Sequence, residues 1–309
     1  MKIGNSDLDV YGLNLGGNVF GWTADEQRSF EVLDAYVAAG GNFIDTADSY
    51  FHRAPGNSGG ESETIIGNWL AKRGRRDDVV IATKVGSWPK RPGVSAKNIR
   101  EAAEDSLRRL RTDHIDLYYA HRDVADVPLE ETLGAFDELV RAGKVRYLGA
   151  SNYSAERLAE ALSISDREGF ARYVAVQPHY NLVERGFEQD LLPLVREQGL
   201  STMPYFGLAR GFLTGKYRSR ETDTGSPRTE AAVAYLDHRG ERVLEALDDI
   251  SAAYGTTPAA VALAWLASRP TVAAPIASAR NVEQLADLLA SVELRLTEAD
   301  VAALDEASS

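Results

Sequence analysis

Short apolar runs rich in β-branched residues alternate, eight times along the chain, with longer stretches of helical period. That alternation confines the fold to strand-helix units around a parallel sheet. Strands are expected at Leu13 to Leu15, Asn42 to Ile44, Val79 to Thr83, Ile115 to Ala120, Val145 to Gly149, Val174 to Val176, Ser201 to Met203 and Val272 to Pro275. Helices are expected between them. Thr23-Ala24-Asp25-Glu26 reads as a capping box ahead of Phe30, Leu33 and Tyr36, and Thr257-Pro258 as a cap followed by proline at the first helical position. Val282, Leu285, Leu288, Leu289 and Val292 mark one apolar helix face. An open doubly wound sheet would carry a G-x-G-x-x-G turn after its first strand, and none occurs. Eight units in 309 residues predict an α/β TIM barrel, (β/α)8, as a single domain over residues 1–309, with a short N-terminal β-hairpin and an extra C-terminal helix. The polar stretch from about Tyr217 to Val233 is too long for an ordinary connection and is expected to be a functional or mobile loop.

Composition removes several chemistries. Cysteine is absent, which excludes disulfides, thiolate nucleophiles and Cys-ligated zinc. The five histidines show no H-x-x-x-H or similar spacing, so no metal is expected. A net charge of -12, from 46 acids and 34 bases without an acidic tail or a basic block, argues against nucleic acid or an anionic membrane as partner. The opening MKIGNSDLDVYGLNLGG lacks the apolar core of a secretory signal, and no apolar run approaches the roughly 20 residues that span a bilayer. A cytoplasmic location is expected.

In a barrel, reactive groups stand at the C-terminal ends of strands. The second strand ends in Asp45, with Tyr50 just beyond; the third ends in Lys84 and the fourth in His121. Alone, each has a structural reading: a cap, a packing aromatic, a rim lysine, a hydrogen-bonded histidine. Together they bring a carboxylate, a phenol, an ammonium and an imidazole to one rim. A buried lysine needs a partner, and Asp45 is the natural one. A phenol beside a cation is a stronger acid, and an imidazole donor polarises a carbonyl oxygen. The four make a proton-donating site.

These residues sit in stretches that resemble the aldo-keto reductase superfamily: Gly41 to Tyr50 (GNFIDTADSY), Gly60 to Gly67 (GESETIIG), Ala82 to Gly86 (ATKVG) and Ser106 to Arg122 (SLRRLRTDHIDLYYAHR). Further matches are Gly149 to Ser154 (GASNYS), Gln177 to Leu182 (QPHYNL), Leu208 to Tyr217 (LARGFLTGKY) and Ser278 to Leu285 (SARNVEQL). The resemblance covers nearly the whole chain and is greatest to bacterial members related to potassium-channel β subunits. It implies NADPH-dependent reduction of an aldehyde or ketone to an alcohol, with NADH as the alternative cofactor. Tyr50 would be the general acid, Lys84 held by Asp45 would lower its pKa, and His121 would orient the substrate.

The same resemblance implies a cofactor site. Ser151, Asn152 and Gln177, with Asp45, would face the nicotinamide, Tyr205 would stack on it, and Gly16, Gly17 and Asn18 would make nearby contacts. For Asn18 a turn cap is the structural alternative. The pyrophosphate would lie along Phe206, Gly207, Leu208, Ala209 and Gly211, with Lys216 nearby and Arg228 closing from the long loop. Ser278, Arg280 and Gln284 would hold the adenosine end, Arg280 taking the 2'-phosphate at a helix start. Phe206-Gly207 replaces a frequent Ser-Pro, and Leu288 a frequent Asn.

Phe20, Trp22, Phe51, Trp88 and Tyr153 follow strand ends and would line a substrate pocket with Tyr50 and His121. That lining suits an apolar or aromatic carbonyl, with no positive clamp for a phosphorylated sugar. Homo-oligomerisation stays open. Two other readings do as well: a cofactor-sensing regulatory subunit with little turnover, and a barrel isomerase or lyase working by proton transfer alone.

Overall fold

The computed structural model describes residues 1–222 and 225–309. Eight strands form one sheet: β1 Asn14–Gly16, β2 Phe43–Asp45, β3 Val80–Val85, β4 Ile115–Ala120, β5 Val145–Ser151, β6 Tyr173–Gln177, β7 Ser201–Thr202 and β8 Ile276–Ala277. Their order is β7-β6-β5-β4-β3-β2-β1-β8, with every neighbouring pair parallel. The ends meet through the Thr202 amide donating to Thr271 O at 2.8 Å and the Ala273 amide donating to Thr202 O at 3.0 Å. The sheet thus curls into the expected (β/α)8 barrel.

The last strand departs from expectation. Val272 to Pro275 was the expected segment, but the ladder to β1 uses Ile276 and Ala277. Proline cannot donate to a ladder. Val272 instead bridges Thr202 on β7, and only the carbonyl of Pro275 serves β1, accepting from Asn14 at 2.9 Å. One segment is thus shared between two neighbours.

Around the sheet run α1 Glu26–Ala38, α2 Glu61–Arg73, α3 Ala96–Leu110, α4 Leu129–Arg141, α5 Ala155–Glu168, α6 Leu191–Glu197, α7 Thr229–Val233, α8 His238–Tyr254, α9 Pro258–Ala267, α10 Val282–Glu293 and α11 Glu298–Ala307. The cap of α1 is Asp25, not Thr23. The Asp25 backbone is extended and its carboxylate accepts the Arg28 amide at 2.9 Å, whereas the Thr23 amide is spent on Val19 O in the preceding turn. Thr257 caps α9 as its sequence predicts. On α10 the apolar face is narrower than expected, because Val282 is 41% exposed while Leu285 and Leu288 are buried. The expected long loop ends in α7, and two of its residues, 223 and 224, lie outside the described residues. α11 is the extra C-terminal helix, tied to α9 by Trp265 Nε1 donating to Asp305 at 3.2 Å.

The N-terminal hairpin pairs Lys2 with Asp9, and the Val10 amide donates to Met1 O at 2.8 Å. Its Ile3, Leu8 and Val10 pack on Phe43, Leu117, Val174 and Met203, closing the end of the barrel where strands begin. The opposite end is left for the site. Among the described residues no single helix is long and apolar enough to cross a membrane.

Candidate active site

At the C-terminal end of the strands, Lys84 Nζ donates to Asp45 Oδ2 at 2.6 Å, Tyr50 OH at 2.6 Å and the Thr46 carbonyl at 2.7 Å. All three ammonium protons are therefore satisfied. Tyr50 OH donates in turn to Asp45 Oδ2 at 2.7 Å, and Gln177 Nε2 donates to Asp45 Oδ1 at 2.9 Å. Asp45 and Lys84 are 0% exposed, a burial tolerable only because each is fully partnered. β2 and β3 bring them together because the two strands are neighbours in register, Asp45 opposite Ala82.

His121 follows β4 and stands edge-on to Tyr50, ring centroids 6.2 Å apart. Its Nδ1 is buried without a partner among the described residues. Burial, then the Lys84 and Arg122 cations, push its pKa well below the ordinary range, so the ring is neutral. Tyr50 is pushed well above its ordinary range by burial and by the Asp45 carboxylate. The sequence suggested that Lys84 would make this phenol a stronger acid. Asp45 lies as close to the phenol as Lys84 does and offsets the cation. Burial also pulls the Lys84 ammonium below its usual range, against the pull of Asp45.

Sequence reasoning missed Asp48. It is 1% exposed, its Oδ1 has no partner, and burial followed by the Glu63 carboxylate pushes its pKa to about 7. The folded pKa is raised, so its contribution to stability is fully present below the unfolded value and is lost as pH rises through about 7. Wild type is expected to lose up to about 1.4 kcal/mol per pH unit relative to Asp48→Asn between about pH 4 and about pH 7, then level off. Urea midpoints across that range check this; parallel curves would rule it out.

Above the cluster opens a cavity of about 910 Å³, within the range of small-molecule sites. Of the residues singled out from sequence, Gly16, Asn18, Trp22, Tyr50, Phe51, His121, Ser151, Asn152, Gln177, Tyr205, Phe206, Gly207, Leu208, Gly211, Lys216, Arg228, Ser278, Arg280 and Gln284 all line it. Phe51, Asn152, Phe206 and Arg210 hold positive φ of 48°, 57°, 53° and 60° around it, strain that clusters at functional sites.

Other residues fall outside the cavity. Phe20 is 2% exposed in the core, and Tyr153 is 6% exposed with its hydroxyl 3.3 Å from Tyr173 OH. Trp88 donates its indole N–H to Ser58 O at 2.9 Å, and Arg91 and Arg109 cover its ring. Ala209 is buried beneath its turn, and Gly17 faces Ser62, whose hydroxyl donates to its carbonyl at 2.8 Å. The aromatic wall that does form is Trp22 stacked on Phe51, centroids 3.6 Å apart and planes 11° off parallel. Arg228 lies 5.3 Å from the Trp22 ring.

Asn18 is not a turn cap. Its Oδ1 accepts from Ser278 Oγ at 2.8 Å and from Arg228 at 3.4 Å, joining the start and end of the barrel to the long loop. Tyr205 donates to Asn152 Oδ1 at 2.8 Å and has one face on His179. Gln177, expected to face a ligand, spends its amide N–H on Asp45.

The residues fit a nicotinamide dinucleotide. Arg210, Lys216, Arg228 and Arg280 converge on one arm of the cavity. Burial, then repulsion from Arg210 and Arg280, pulls the Arg228 guanidinium down to about 10, as expected of cations gathered without their anion. At Gly16 an added Cβ would lie 2.5 Å from Ser278 Oγ, so only glycine leaves that wall of the cavity open. Arg210, absent from the expected contacts, lies within the stretch Leu208 to Tyr217 that carried the resemblance.

An eight-stranded parallel barrel with a phenol, an ammonium and a carboxylate bonded together beneath a cation-lined cavity defines a class of barrel enzyme. The aldo/keto reductase family model matches residues 12–309, and the chain belongs to that family. It is similar to the uncharacterized oxidoreductase YrpG of Bacillus subtilis (strain 168), 37% identical over 95% of this chain and 91% of that protein. Protein tas of Escherichia coli (strain K12) is 36% identical over 99% and 96%. A probable voltage-gated potassium channel subunit beta of Oryza sativa subsp. japonica is 33% identical over 95% and 90%. Membership supports oxidoreductase activity with a nicotinamide cofactor on a small carbonyl substrate.

Proposed function

We propose that this chain reduces an aldehyde or ketone to an alcohol, using NADPH in preference to NADH and Tyr50 as general acid. What supports this is the Asp45, Lys84 and Tyr50 cluster at the floor of a cavity whose other arm gathers four cations. When bound, the cofactor supplies a hydride to the carbonyl carbon. Tyr50, kept protonated at neutral pH by its raised pKa, gives its proton to the carbonyl oxygen. Lys84 Nζ, 2.6 Å from the phenolic oxygen, stabilises the phenolate left behind. With Nδ1 of His121 buried and lacking an acceptor, its single proton belongs on Nε2, from which it donates to the substrate oxygen.

Arg280 precedes α10, whose cap is Asn281, and its amide is fixed by Gln284 Oε1 at 3.1 Å. That position suits a 2'-phosphate. Arg280→Ala is expected to lower the NADPH-over-NADH affinity ratio by about tenfold or more, the worth of a charge-assisted contact. Fluorescence titration with both cofactors measures it, and an unchanged ratio would remove Arg280 from that role.

The likeness to a protein named as a channel subunit favours a second reading, a cofactor-sensing subunit with little turnover. NADPH titration followed by a carbonyl panel separates the two. Oxidation of NADPH supports reduction; its absence, with stable association in a larger assembly, supports the subunit.

A further inference from the structure

Two arginines stand on the rim that carries Tyr50 and His121, and neither has an acidic partner among the described residues. Arg53 comes three residues after Tyr50, Arg122 directly follows His121, and both line the cavity. Each is held only at Nε: Arg53 donates to His52 Nε2 at 3.3 Å, and Arg122 to Ser87 Oγ at 3.0 Å. His52 Nδ1 lies 2.9 Å from Ser49 O, which puts the ring proton on Nδ1 and leaves Nε2 as the acceptor for Arg53. The terminal guanidinium nitrogens of both arginines make no hydrogen bond or ion pair among the described residues.

The neighbouring acids are committed elsewhere. Both oxygens of Asp123 are taken by Arg157, at 2.9 and 3.0 Å. Glu61 turns back on the Ser58 and Gly59 amides, at 2.5 and 2.9 Å. Both side chains are solvent-exposed and line the cavity, so their unbonded terminal nitrogens are hydrated there and open to an anion that displaces that water. They are different residues from Arg210, Arg228 and Arg280, which are assigned to the phosphates of the cofactor, although Arg228 also lies over the Trp22 and Phe51 rings at 5.3 and 5.9 Å.

We propose that Arg53 and Arg122 bind a carboxylate of the substrate, which makes the substrate class an aldehyde or ketone bearing an acidic group on an apolar or aromatic body. This rests on the carbonyl-reduction reading. A planar guanidinium whose Nε is anchored presents its two terminal nitrogens as a fork matched to a carboxylate. The stacked Trp22 and Phe51 supply the apolar wall for the body between the two ends. The sequence had suggested an apolar or aromatic carbonyl with no positive clamp for a phosphorylated sugar; the two arginines add a charged end to that reading.

The test compares 4-carboxybenzaldehyde with its uncharged methyl ester, methyl 4-formylbenzoate. Wild type is expected to favour the carboxylate in kcat/KM by about tenfold or more, and Arg53→Gln and Arg122→Gln each to cut that ratio about tenfold. Arg122→Lys restores part of it, since charge returns without the fork. A wild-type preference for the ester, or a ratio unchanged in both variants, overturns the proposal while leaving carbonyl reduction standing. If neither aldehyde is reduced, the carbonyl-reduction reading is decided by the wider carbonyl panel, and binding decides the anion site. Benzoate should then quench tryptophan fluorescence at about tenfold lower concentration than benzamide, and the glutamine variants should lose the difference. Equal affinities in wild type overturn the site.

Discussion

Tyr50→Phe is expected to lower turnover by about 10²–10⁴-fold, the span that a positioned general acid contributes. The substitution deletes one oxygen and keeps the ring. That oxygen is the meeting point of the cluster, accepting from Lys84 at 2.6 Å and donating to Asp45 at 2.7 Å. Lys84 keeps two of its three partners, Asp45 and the Thr46 carbonyl, so the fold should survive. Cofactor affinity should stay near that of wild type, because the cations that would hold the phosphates stand on the other arm of the cavity. A fluorescence titration and a single-turnover measurement separate binding from chemistry. Retained turnover would remove Tyr50 from the acid role.

Lys84→Met is expected to destabilise the protein by about 3–5 kcal/mol, because it strips the cation from a buried carboxylate. Methionine replaces the stem but not the charge. Asp45 would keep Tyr50 and Gln177 as donors, at 2.7 and 2.9 Å, yet at 0% exposure would face no positive charge. Combining Lys84→Met with Asp45→Asn removes both charges, and the double variant should lose less than the sum of the singles. Urea denaturation of the two single variants and the double variant measures this; a simple sum would show that the pair is not coupled.

Much of the fold is legible along the chain because its determinants are local. Apolar periodicity marks strands and helices whether or not they have packed, and the Thr257-Pro258 start works through its own backbone. Thr23 failed as a cap because the turn made by Val19 to Ala24 takes up its amide, and Asp25, two residues on, has the extended backbone of a cap. The eighth strand was misplaced because which segment pairs with β1 depends on how β7 closes the barrel, a contact between Thr202 and Thr271 that no local pattern encodes.

The quartet on which the proposed chemistry rests was readable from sequence because a parallel barrel sends every strand end to one rim. Asp45, Tyr50, Lys84 and His121 needed only their places after apolar runs. What each side chain touches could not be read that way. Trp88 and Tyr153 follow strand ends just as Trp22 and Phe51 border them, yet the first two turn to Ser58 and Tyr173 and only the second two form the wall. Local pattern determined the barrel, the rim and the residue types on it. Tertiary structure alone decided that Asp45 offsets Lys84 at the phenol, that Asp48 is buried, and that Arg53 and Arg122 are left without acids among the described residues. These are balances of burial and charge among groups far apart in sequence, and they exist only once the strands have closed.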